Sequence, residues 1–195
     1  MNQLWQKKGS KFDKNVNAFI ISRNLAEDTA LVPYDVQASL AHAHMLGKVG
    51  LLKTSEVKAL EKGLKAVLGL YEKGAFVLKQ EDEDCHTAIE NFLVANMGEV
   101  GKRIHMGRSR NDQVLVAMRL YQRAQLKEVI KLVLQCASTA LTFAKKYEFV
   151  PMPGYTHTQQ AMPSSVGQWA GALVESFLDD LRALFAAYEM NDQNP

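Results

Sequence analysis

Between residues 108 and 149 the chain contains neither glycine nor proline, and Leu126, Ile130, Val133, Ala137, Leu141 and Ala144 recur there at helical spacing. A single helix of roughly forty residues would be about 60 Å long, well beyond the three or four turns of an average globular helix. Val129, Leu132 and Leu134 widen its apolar surface past one narrow seam, so more than one neighbour has to cover it. Pro151, Pro153, Gly154 and Pro163 forbid continuation and delimit a loop of about a dozen residues. After it Val166, Ala170, Leu173, Phe177, Leu181, Leu184 and Tyr188 repeat at three and four residues, which predicts a second long helix returning antiparallel to the first. No segment with strand periodicity competes, so the fold class is all-α. Two helices cannot bury two broad stripes. Self-association through residues 110–190, or completion by further chain, is therefore expected.

The first half reads as shorter helices. Pro33 suits the first turn of a helix carrying Val36, Leu40, His44 and Leu46 and ending near Gly47 to Gly50. Thr54 and Ser55 are N-cap candidates for a second, in which Val57, Leu60, Leu64, Val67 and Tyr71 recur until Gly74, although Gly63 and Gly69 interrupt it. A third, from about Asp84 to Met97, follows the acidic run Glu81-Asp82-Glu83-Asp84, where negative charge is favourable at a helix start. The glycines and mixed charges from 98 to 107 mark a connection. The expected organisation is an N-terminal helical domain, 1–107, followed by the first part of a central long-helix bundle domain, 108–195.

Composition narrows the function class. Lys+Arg of 23 against Asp+Glu of 21 leaves a formal net charge of +2, too balanced for nucleic acid or an anionic membrane to be the main partner. The N-terminus lacks the apolar region of a signal peptide, and no run of about 18 apolar residues is present to span a bilayer, so a cytoplasmic location is expected. Cys85 and Cys136 have no metal-ligand spacing and read as free, buried thiols. Glu-x-x-His pairs, which a di-metal bundle needs, are absent from both long helices.

Chemistry concentrates in two strings. Arg108-Ser109-Arg110-Asn111-Asp112-Gln113 opens the long helix, where unpaired N–H groups and the positive dipole end suit a bound carboxylate. Gly154-Tyr155-Thr156-His157-Thr158-Gln159 lies in the turn that closes it and supplies an imidazole, whose unperturbed pKa is near neutral. These two strings, together with Asp84-Cys85-His86-Thr87-Ala88, resemble the argininosuccinate lyase family of the fumarase/aspartase superfamily. The resemblance extends from Leu4-Trp5 to Asn194-Pro195.

That resemblance implies a fumarase/aspartase-like helical fold, truncated here, and a homotetramer whose active sites each draw on three subunits. It also implies reversible elimination of fumarate from argininosuccinate to leave arginine, with no metal and no organic cofactor. Ser109, Arg110, Asn111 and Thr156 are the implied donors to the substrate, His86 matches a histidine near the substrate, and His157 matches the active-site histidine. Arg108 is placed either to tether the helix start or to touch ligand, while His42, His44 and His105 read as surface or packing residues.

Three departures qualify it. The family's Gly-Ser-Ser-x-Met-Pro-x-Lys-x-Asn-Pro loop, which carries a serine sharing the acid/base work, is absent, since neither Met152-Pro153 nor Met162-Pro163 is followed by lysine and asparagine. The chain therefore reads as an N-terminal portion, inactive alone. Met106 stands where threonine is usual, and Asn17-Ala18-Phe19-Ile20 offers no hydroxyl where the family often has one, unless Ser22 substitutes. The alternatives are another fumarate-releasing lyase, such as adenylosuccinate lyase or fumarase, and a non-catalytic helical scaffold of the same fold.

Overall fold

The proline at position 33 does what its fixed φ and missing N–H favour: it sits in the first turn of a helix, α2 (Val32–Lys48), which follows the short α1 (Leu25–Thr29). The structure, a computed structural model, describes residues 25–79 and 82–193. The segment 17–20 discussed above, Ser22 and Glu81 lie outside the described residues. Next comes α3 (Thr54–Glu72), whose N-cap is Lys53 rather than Thr54 or Ser55. The reason is Glu56, whose carboxylate accepts the Lys53 backbone N–H at 2.8 Å and so fixes the start one residue earlier. In α4 (Cys85–Met97) the N-cap is Asp84, which accepts the Thr87 N–H at 2.6 Å. Asp82 accepts the Lys79 backbone N–H and the Asn91 amide, each at 3.0 Å, so part of the acidic run serves local structure. A one-turn helix α5 (Glu99–Lys102) and a 3-10 turn (Arg103–His105) lead to the long α6 (Arg110–Lys146).

Two compact units are present, one reaching as far as Tyr121 and the other Gln122–Gln193. The first closes around Val32, Val36, Ala43 and Leu46 of α2, Leu60, Leu64 and Val67 of α3, and Cys85, Ile89 and Leu93 of α4, with Leu52 and Ile104 at its ends. Val36, Leu46, Leu60, Leu64 and Val67 are positions that the helical spacing marks, whereas Leu40, Val57 and Tyr71 are only partly buried against this core and His44 is exposed. Gly63 has a packing reason: a Cβ there would lie 1.9 Å from Met97 Cε and 2.6 Å from Leu93 Cδ2, so its absence lets α3 approach α4 closely.

The second unit holds the remainder of α6, a hairpin and α7 (Val166–Met190). Where prolines suggest a loop, the chain forms two antiparallel strands, β1 (Pro151–Thr156) and β2 (Gln159–Ser165), with Met152 paired to Ser164 and Thr156 to Gln159. A two-stranded ribbon has only edge strands, so Pro153 and Pro163, which face each other, can withhold their N–H groups. Ser165 caps α7 by accepting the Gln168 N–H at 3.0 Å. The return is antiparallel. A Cβ on Gly167 would lie 2.5 Å from Glu148 Cα, whereas at the other end Arg123 donates to the Tyr188 hydroxyl at 2.8 Å and pairs with Asp192. Both cysteines are free, but only Cys85 is buried; Cys136 is exposed in an open groove that it lines together with Trp169 and Leu173 of α7. Among the described residues no helix is long and apolar enough to cross a membrane.

Candidate active site

Ser109 builds the start of α6. Its hydroxyl accepts the Asn111 N–H at 3.0 Å, and Asp112 accepts the Ser109 backbone N–H at 2.9 Å, a reciprocal cap that accounts for the spacing of serine and aspartate in this string. Asn111 presents an exposed side chain. Arg110, whose charge opposes the helix dipole, is balanced from within the first unit. It reaches Gln113 Oε1 at 3.0 Å and Thr87 Oγ1 and Glu90 Oε2 at 3.4 Å.

Beneath this start lies a buried polar cluster centred on Asp35. Its carboxylate is fully inaccessible and accepts from Ser39 Oγ at 3.0 Å and from Gln113 Nε2, which lies 3.0 Å from both oxygens. His86, also buried, places Nδ1 2.9 Å from Asp35 Oδ2. Arg108 donates to Ser39 Oγ at 3.0 Å, which makes it a tether of the helix start to α2, while its Nε is buried with no hydrogen-bond partner among the described residues. Burial by itself would raise the Asp35 pKa. Hydrogen bonding and charge from His86, the Gln113 amide and the Arg108 charge outweigh it and hold the carboxyl below its ordinary value.

Desolvation lowers Arg108, opposed by the nearby Asp35 charge. Burial is also the first cause of the lowered pKa of His42, whose Nε2 lies 2.9 Å from the Met106 carbonyl oxygen, and of His105. These two histidines are half-buried packing groups, and exposed His44 lies 3.6 Å from Glu61. Burial pushes the Cys85 thiol far up, which favours its un-ionised form.

Thr156 and His157 belong to the hairpin of the second unit. Thr156 ends β1, and His157 and Thr158 form the two-residue turn with φ of 48° and 65°, both in the left-handed region that non-glycine residues adopt at a cost. Paired positive φ values are the mark of a tight hairpin turn whose twist matches its strands. The His157 imidazole is thereby carried at an exposed tip.

Of the site residues named from sequence, the first unit brings His86, Ser109, Arg110 and Asn111 around one helix start, with Thr156 and His157 in the second unit. Asp35, Ser39 and Gln113 join the first group. One signal for them exists in the sequence: Asp35 and Ser39 fall among Val32, Val36 and Ala43, on the apolar side of α2, where a carboxylate and hydroxyl four residues apart are out of place. Among the described residues no three His, Cys, Asp or Glu side chains gather in a metal-binding arrangement.

The sequence profile of a lyase family matches residues 9–194. Argininosuccinate lyase of Thermotoga neapolitana is 44% identical over 193 residues, which is 99% of this chain and 48% of that protein. Argininosuccinate lyase of Phocaeicola vulgatus is also 44% identical, over 99% of this chain and 43% of its own length. Among solved structures, an EDDS lyase in complex with formate superposes with a TM-score of 0.76 at 26% identity, over 96% of this chain and 37% of that one. The chain spans about half the length of the curated relatives it matches.

Proposed function

We propose, from the premise that this chain belongs to that lyase family, that it is the N-terminal part of an argininosuccinate lyase. The reaction breaks a C–H bond beside a carboxylate and the adjacent C–N bond, forms the double bond of fumarate, and releases arginine. The observation that carries this reading is the capped helix start at Ser109, Arg110 and Asn111, set in a chain 44% identical to relatives named for that activity.

Removing a carbon-bound proton beside a carboxylate places a second negative charge on that group, and preorganised donors aimed at it lower the barrier. Ser109 retains its hydroxyl hydrogen, because the oxygen is the atom used in capping, and Asn111 keeps an exposed amide. These two, with Thr156, are the donors to the succinyl carboxylates in this proposal. Arg110 adds positive charge, tempered by Glu90, and His86, the substrate-side histidine of this reading, stands buried behind the helix start. His157 carries a proton from its exposed turn, a role suited to imidazole. Self-association through 110–190 into a homotetramer, a cytoplasmic location and inactivity of the 195-residue chain alone belong to the same reading, as does the division into domains 1–107 and 108–195.

The test is fumarate release, followed by ultraviolet absorbance, from argininosuccinate and, separately, from adenylosuccinate and malate, with the whole enzyme. Release from argininosuccinate is expected; release only from another substrate overturns the reading. His157→Asn is expected to lower turnover on the order of 10²- to 10⁴-fold, the range for loss of an acid/base group, with unchanged assembly mass. Loss of mass together with turnover would make His157 a structural residue.

A further inference from the structure

We propose that Asp35 is a positioning residue: it holds the His86 ring in one orientation and fixes it to the start of α6, so that the histidine and the Ser109–Asn111 donors are aligned as one body. The role in catalysis rests on the lyase reading above; the ring orientation does not.

A fully buried carboxylate is an expensive group, and replacing such a charge by apolar side chains is often neutral or stabilising. Here the charge stands where three helices meet, and each supplies it with a partner: Ser39 from α2, His86 from α4 and Gln113 from α6. Ser39 also accepts from Arg108, so the residue preceding the Ser109 cap is tied to the same cluster. Gln113 uses its amide nitrogen on Asp35 and its amide oxygen on Arg110 Nη1, which extends the connection to the first residue of α6. His86 Nδ1 lies 2.9 Å from Asp35 Oδ2, close enough for the carboxylate charge to favour a proton on that nitrogen and one facing of the ring, although the ring N–H is not aimed straight at the oxygen. Packing alone requires none of these polar contacts, since Val32, Val36 and Leu46 fill the same helix with no polar atoms in their side chains.

The first measurement is the imidazole nitrogen spectrum of His86 in the 195-residue chain, wild type against Asp35→Asn. The expected result is a change in the Nδ1 and Nε2 shifts of His86, with the backbone spectrum of the first unit retained. Ser39→Ala removes one donor to Asp35 with little steric disturbance and serves if Asp35→Asn does not fold; the same change in reduced size is expected. Unchanged His86 ring shifts in a folded variant would overturn the proposal. In the whole enzyme Asp35→Asn is expected to lower kcat/KM on the order of ten- to hundredfold, the scale of lost orientation by an outer group. Leu64→Ala, a core change of the same unit, is expected to lower thermal stability with kcat/KM of the folded enzyme retained. An equal kcat/KM loss in both variants would reduce Asp35 to a structural residue. Wild-type enzyme that releases no fumarate from argininosuccinate would sink the function reading, while the ring shifts would still decide the orientation.

Discussion

The two units bury different kinds of side chain. In the first, Leu46, Leu60, Leu64, Ile89 and Leu93 are almost completely enclosed. In the second, half of the best-covered apolar residues are alanines, Ala137, Ala144 and Ala170 beside Ile130, Val174 and Leu181, whereas Leu132, Trp169 and Phe185 are 57%, 55% and 50% exposed. Both have helical apolar spacing. What differs is closure: several short helices surround one core in the first unit, and two long helices joined by a ribbon present more apolar surface than they can cover in the second.

The largest effect that would break this comparison is Leu64→Ala, expected to lower the unfolding free energy by about 2–5 kcal/mol, because the cavity lies in a closed core. Chemical denaturation followed by circular dichroism checks it, and a loss as small as a surface change would deny that the core is closed. Leu173→Asp should behave in the opposite way. At 44% exposed in this chain, it is expected to cost less than Leu64→Ala in the same denaturation and to reduce assembly mass in light scattering at micromolar concentration. Unchanged mass would separate the exposed stripe from self-association.

Acid should act on the first unit through Asp35. Its folded pKa lies below its ordinary value, so its contribution is present above about pH 4 and lost as pH falls through the folded pKa. Denaturation midpoints measured down a pH series should fall in that window for the wild type and fall less for Asp35→Asn. Parallel curves would remove Asp35 from the acid sensitivity. The smallest effects are the caps: Asp84→Ala in the first unit and Ser165→Ala in the second are each expected to cost about 1 kcal/mol by denaturation, since each leaves one N–H of a first turn unpaired. Equal losses would show that the units differ in core closure and not in local helix chemistry.

Much of the helical framework is legible from apolar period and punctuation. Pro33, Gly74, Asp84 and the prolines after Val150 delimit helices because each acts on backbone geometry nearby. The hairpin is less legible, since its turn is His157-Thr158 and lacks the asparagine or glycine that marks such turns, and its strands are short and rich in proline. Gly63 weakens a helix when read alone, yet its reason lies at Leu93 and Met97, thirty or more residues away. The Asp35 cluster depends on partners 51 and 78 positions distant, at His86 and Gln113, and no local period announces a carboxylate whose donors come from other helices.

The left-handed backbone at position 157 has a practical corollary for anyone wishing to separate chemistry from shape. Asparagine adopts that conformation more readily than most residues, whereas a β-branched side chain adopts it only at a higher cost, one that Thr158 already bears in the same turn. Exchanging the imidazole for an amide therefore removes the titratable ring while sparing the bend, and valine at the same place would add a backbone cost to the loss of the ring. The ribbon's tip thus offers its own internal control.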